Sequence, residues 1–516
     1  VICLSRTEKS FYNISIALIG QILAIIVSFF SRIVFIKILG NEYLGVSGLF
    51  TSIMSVLSLV ELGVGPAIIF TLYEPLANKD ENRLKSIMAL YKKLYIIIGI
   101  IISVIGLIIS PFLSIFIKDT LDIDNLKLIY LLFLLNTSIT YFFTYKRSLI
   151  IADQREYIVN IFRYSFFLIM TIMQIVLLYL TRSFILFLLT QSLTIFIENL
   201  SINIKANSLY PFLKDKNVES IDVDTKNKIL KNAGGVMISK VSGILVNSTD
   251  NLIISAYIGL IPVGLYSNYL LITSALNKIL GHIFSALIPG FGNLIAEGNE
   301  ERVKESFYTT MFINLWIYSF SVVSLYILLN PFISIWLGDE HLLDKNFVLM
   351  FVLVFFFDGI RKTVVSFKSA YGIYWEDRYK AIVQLTVNLI VSLLLVKKMG
   401  IVGVLIGTLS STLLGPIWME PLVVYKNKLR FSLKIYVKNI ICFVLISIVS
   451  SLIIIYFSNL IDSHYLVKFI VKVLMCLIIP NLIIFVVYLK SDPMKHIKTI
   501  LTQLFRKVSK RNHNRI

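Results

Sequence analysis

Seven basic residues stand out within long apolar runs of this chain, set in from the edges of those runs: Arg32, Arg163, Lys240, Lys278, Arg361, Lys362 and Lys472. Three acids stand out in the same kind of run, Glu61, Asp250 and Asp358. A charge at the centre of a membrane-spanning helix costs about 3 kcal/mol on insertion scales, so it faces a bundle interior, a wet cavity or a partner. Arg163 and Lys472 sit close enough to the end of their runs to snorkel. Arg32 lies some four residues from a loop. Lys278 is more than a dozen residues from either end of its run and has no such route to water.

Spacing sharpens these candidates. Lys240, Asn247 and Asn251 recur on one helical face, with Asp250 at its edge, which is the pattern of a helix lining a cavity. Gln21 shares a face with Arg32. Asp358 is placed to pair with Arg361 or Lys362 at i+3 or i+4. Glu61 precedes Gly63, Gly65 and Pro66, a combination that kinks a helix and is a candidate hinge for a gate. Taken together, Arg32, Lys240, Lys278, Arg361 and Lys362 outnumber the nearby carboxylates. A cationic cavity of that kind suits an anionic substrate such as a phosphate or pyrophosphate. Glu61, Asp250 and Asp358 are candidates for ion coupling or for charge compensation, and Gln21, Asn247 and Asn251 for polar lining.

The elements carrying these residues are transmembrane helices. The chain has 516 residues, 57% of them hydrophobic and only 15% charged. A soluble protein would carry about 25% charged residues, so a soluble enzyme is excluded. Spans need about 20 apolar residues. Fourteen runs qualify, near 13–36, 44–72, 94–117, 128–145, 157–180, 183–204, 234–258, 263–290, 307–329, 346–367, 379–396, 401–424, 439–458 and 465–489. With the N-terminus inside, 34 of the 49 Lys and Arg fall in inner segments and 8 in outer loops. The positive-inside rule then puts both termini in the cytoplasm. The net charge of +19 is therefore mostly topological, and nucleic acid is not an expected partner. The basic tail suits anionic lipid. There is no P-loop or HExxH motif, and the five His are scattered, so no metal, cofactor or catalytic residue is expected.

The two halves repeat. LANKDENRLK from Leu76 matches IAEGNEERVK from Ile295, and SPFLSIFIKD from Ser110 matches NPFISIWLGD from Asn330. Gly40 and Gly45 fall on Gly259 and Gly264 at the same offset. An even number of spans per unit makes the repeats parallel. The expected organisation is an N-terminal six-helix lobe (1–204), a cytoplasmic linker (205–233), a second six-helix lobe (234–424), two extra helices (425–489) and a basic tail (490–516).

These segments resemble a known family. FIKILGNEYLGVSGLF and LVELGVGPAIIFTLYEPLANKDENRLKSIMALYKKLY are similar to the N-terminal half of polysaccharide biosynthesis proteins. SALIPGFGNLIAEGNEERVKESF and NPFISIWLGD are similar to their second half. Those are the repeat-unit flippases (Wzx class) of the multidrug/oligosaccharidyl-lipid/polysaccharide (MOP) exporter superfamily. The resemblance implies an all-α bundle with two six-helix lobes forming a V. Spans one, two, seven and eight would line its cavity. It implies translocation of a polyprenyl-diphosphate-linked oligosaccharide across the bacterial cytoplasmic membrane by alternating access, coupled to H+, Na+ or the membrane potential. A polysaccharide polymerase is an expected partner. Two spans beyond twelve bring the lipid II flippase branch close, and that is the alternative. A drug antiporter would favour an acidic interior. A membrane polymerase or glycosyltransferase would need a larger outer loop than any here.

Overall fold

The helix boundaries recur along the chain because the same backbone signals recur. The computed structural model describes residues 6–61, 63–118, 123–215, 241, 243–373, 376, 378–426, 433–462, 464–499 and 502. Lys240 and most of the predicted linker lie outside the described residues.

In chain order the helices are α1 (Arg6–Leu57), α2 (Val64–Asn78), α3 (Glu81–Ile109), α4 (Leu126–Ala152), α5 (Glu156–Thr181) and α6 (Phe184–Leu209). A helix over 243–257, α7, follows. Then come α8 (Leu260–Ala296), α9 (Glu300–Leu337), α10 (Lys345–Gly359), α11 (Lys362–Ala370), α12 (Tyr379–Met399) and α13 (Ile401–Leu414). The last are α14 (Pro416–Val424), α15 (Leu433–Asn459) and α16 (Tyr465–Tyr488). The fold is all-helical. Eleven of the described helical stretches are long and apolar enough to cross a bilayer, which makes this a multi-pass membrane protein.

Fourteen spans remain compatible with those eleven. The first stretch, 47 residues, contains two predicted runs divided at Gly40. The seventh run falls partly outside the described residues. The tenth is interrupted between α10 and α11, so neither piece reaches span length.

The sequence repeat is visible in backbone geometry. Gly40 (φ 83) ends the first helical half of α1, and Gly259 (φ 139) separates α7 from α8. Both φ values fall where L side chains are strained, which is why glycine stands at both. Lys79 (φ 55) and Gly298 (φ 74) make the same left-handed turn before α3 and α9. The next residue caps the helix in both cases. Asp80 accepts from the Arg83 N–H at 3.0 Å, and Asn299 accepts from the Arg302 N–H at 3.1 Å. Arg182 (φ 53) and Gly400 (φ 59) likewise close α5 and α12.

Two compact units result, Val1–Ser267 and Asn268–Ile516. In the first, α4 packs between α3 and α6, and α1 packs along α5. Its core runs through Leu49, Phe50, Tyr91, Tyr130 and Leu149, all fully buried. In the second, α12 and α13 form a tight pair. A Cβ at Gly407 would come within 2.0 Å of Ser392 Oγ, so only glycine permits that approach. There α9 is enclosed by α10, α15 and α16.

Candidate functional site

The helix α8 presents three kinds of face. Tyr266, Tyr269, Thr273, Leu280 and Phe284 are buried. Ile261, Ile283 and Leu287 are exposed and apolar, as a lipid-facing surface must be. Between these faces runs an exposed or half-exposed polar stripe of Ser267, Ser274, Lys278, His282 and Ser285. At 3.6 residues per turn all five point to one side. Lys278 lies at mid-helix, is exposed, and makes no ion pair among the described residues. A polar stripe with a lysine at mid-span is costly against hydrocarbon and belongs against water.

Arg32 is half-buried on α1, in line with Ser28 and Gln21. The opposite side of that helix segment is apolar and exposed at Ile19, Ile22, Leu23, Ile26, Phe30 and Ile33. Gln21 is not free, since its Oε1 accepts from Tyr164 Oη of α5 at 3.5 Å. The predicted polar face of α7 divides. Asn247 is exposed. Asn251 is only 8% exposed, and its amide donates to Ser52 Oγ at 2.9 Å. Asn251 therefore joins α7 to α1. Asp250 is buried beside it.

The kink expected at Gly63, Gly65 and Pro66 is a full break. α1 gives way to a 3-10 turn over Ser58–Glu61, and Gly63 takes φ 91 before α2 starts. Pro66 falls in the first turn of α2, where a missing N–H costs nothing. Glu61 ends the 3-10 turn, and its Oε1 accepts from Tyr95 Oη at 2.6 Å. The Tyr95 ring meets that of Tyr91 edge-on at 4.6 Å, and Tyr91 Oη pairs with Ser148 Oγ at 2.9 Å. A Cβ at Gly65 would lie 2.9 Å from Tyr95 Oη and 3.2 Å from Glu61 Oε1, so the bare backbone makes room for this carboxylate.

The cluster around Arg361 differs from its expected form. Arg361 Nη1 does reach Asp358 Oδ1 at 3.4 Å, the i+3 pairing read from the spacing. Its closer partner is Glu420 of α14, at 3.0 Å from Nε. Glu420 is 1% exposed, and its other oxygen takes Lys380 Nζ at 2.7 Å. Arg361 thus spends its charge inside the protein, whereas Lys362 remains half-exposed. Lys368 follows the end of the tenth run and Lys380 stands at the start of the eleventh. Both are buried, on α11 and α12. Glu420 was missed because one acid in an otherwise apolar run reads as tolerable noise. The first unit holds a comparable pair, also missed: Arg147 Nη2 of α4 contacts Glu198 Oε1 of α6 at 2.7 Å.

The all-helical fold is similar to that of solved transporters of this membrane-bundle architecture. One solved structure it resembles is the lipid II flippase MurJ in an inward closed conformation. The TM-score is 0.67 at 15% identity, over 92% of this chain and 98% of that one. An inward-facing multidrug resistance MATE family transporter of the MOP superfamily gives a TM-score of 0.57 at 14% identity, covering 81% and 99%. A Vibrio cholerae MATE transporter gives 0.51 at 13%, covering 82% and 100%. No protein-family profile and no curated protein matches the chain in sequence.

Proposed function

We propose that this chain is a flippase. It carries a polyprenyl-diphosphate-linked oligosaccharide from the cytoplasmic to the outer leaflet of a bacterial membrane, for surface polysaccharide synthesis. The observation that supports this reading most is the exposed polar stripe of α8, with Lys278 at mid-span. A cation held in a wet cavity at that depth attracts a diphosphate, while the lipid tail stays in hydrocarbon. Arg32, Lys278, Lys362 and Lys240 are the proposed phosphate contacts, and Arg361 is reassigned to the Glu420 ion pair. Glu61 and Asp250 are the proposed sites of H+ or Na+ coupling, and the break at Gly63 is the proposed gate hinge. The six-plus-six-plus-two division at 204, 233, 424 and 489, the cytoplasmic termini and association with a polymerase belong to the same proposal.

A second reading, a lipid II flippase, draws support from the likeness to MurJ. Deletion of the gene separates the two. Loss of surface polysaccharide, with lipid-linked repeat units accumulating inside, is the expected result. Unchanged polysaccharide with accumulated lipid II would replace the first reading by the second. Lys278→Ala is expected to abolish export while the protein stays in the membrane at its normal level. Normal export by that variant removes Lys278 from the site.

A further inference from the structure

Three helices of the second unit, α9, α10 and α15, enclose an apolar cavity of about 350 Å³ that is independent of the polar stripe on α8. Its walls include Tyr326 of α9, Leu349, Val352 and Phe356 of α10, and Ile448 and Leu452 of α15. The rim is open along one side, with Leu349 39%, Ile448 50% and Leu452 60% exposed. Ser447, one of the few polar side chains in the lining, is already satisfied. Its Oγ pairs with Ser319 Oγ at 2.6 Å and donates to the Phe443 carbonyl at 2.8 Å. A cavity with so little polar demand offers water few partners and suits a nonpolar occupant.

Size and depth select that occupant. Along α15 the lining runs from Val444 to Ile455, ~16 Å at 1.5 Å per residue. That is about half of a ~30 Å hydrocarbon core, one leaflet deep, and too short for a partner's transmembrane helix. The volume suits a single chain of on the order of a dozen methylenes, taking each as close to water's ~30 Å³. One turn beyond Leu349, on the same face of α10 as Val352 and Phe356, stands exposed Lys345. The neighbouring Asp344 carboxylate is committed to the Phe347 N–H at 2.7 Å. Lys345 makes no ion pair among the described residues, which leaves its charge available to an anionic head group.

We propose that this groove seats one acyl chain of a bilayer phospholipid, with the lipid phosphate at Lys345. The lipid packs α15 against the repeat and is not cargo.

The test is native mass spectrometry of the full chain in detergent, with phosphatidylglycerol added at a few molecules per chain. One tightly retained phosphatidylglycerol is expected. Leu452→Trp, at the exposed rim, fills the groove and should weaken retention at least tenfold. Lys345→Ala should weaken it several-fold. Ser451→Phe serves as a second filling variant if Leu452→Trp does not give a monodisperse protein. Equal retention by the wild type and a monodisperse filled variant overturns the proposal. Displacement of phosphatidylglycerol by equimolar polyprenyl phosphate also overturns it, because the groove would then belong to a substrate tail.

Discussion

Glu198 and Glu420 both lie on the sixth run of their half, yet they sit in different surroundings. Glu198 meets one cation, Arg147, and the two side chains keep 15% and 22% of their exposure. Glu420 is 1% exposed and lies between Arg361 and Lys380. The backbone accounts for the contrast. In the first unit α4 and α6 are continuous helices of 27 and 26 residues. In the second, the corresponding runs are broken between α10 and α11 and again at Gly415, before Pro416 of α14. Short helices hold few hydrogen bonds of their own and depend on tertiary contacts. The ion triad lies where these breaks meet, and it ties the broken pieces together.

That comparison can be broken by experiment. The largest effect is expected from Glu420→Ala, which removes the buried carboxylate shared by Arg361 and Lys380. A loss of about 3–5 kcal/mol should appear as a collapse of thermal stability in detergent. A melting curve like that of the wild type would mean that the triad ties nothing. Replacing all three members together, as Arg361→Met, Lys380→Met and Glu420→Leu, should recover most of that loss, since the desolvation cost leaves with the charges. If the triple variant is as unstable as Glu420→Ala, ion-pair geometry and not charge balance holds the site. Glu198→Ala should cost about 1–2 kcal/mol in the same assay, because water partly screens its pair. The smallest effects belong to the repeated caps. Asp80→Ala and Asn299→Ala should each cost about 1 kcal/mol, and to a similar degree, because the same turn precedes both helices. A large difference between them would show that the cap equivalence is only geometric.

Much of the fold was legible in advance. The runs, their tight separators at Gly40 and Gly259, and the matched segments from Leu76 and Ile295 depend on local hydrophobicity and on φ angles that few residues adopt. The candidate site was legible only in part. Lys278 stood out because it lies more than a dozen residues from either end of its run. Its polar companions Ser274, His282 and Ser285 needed the exposure pattern to become a stripe. Asn251 had the right spacing for a lining face and yet binds Ser52, 199 residues away. Periodicity identifies a helical face but does not say what that face meets.

The sequence by itself determined that this is a helical membrane protein with a repeated half and a few charges out of place in lipid. Those properties follow from transfer energies and local stereochemistry, which each stretch of chain carries alone. Only the tertiary structure decided which charges are compensated. Glu420 reaches Lys380 across 40 residues and Arg361 across 59, and no local pattern encodes such a partner. The pairing makes Arg361 and Lys380 structural cations, and it leaves Lys278 exposed, the cation that carries most of the proposed function.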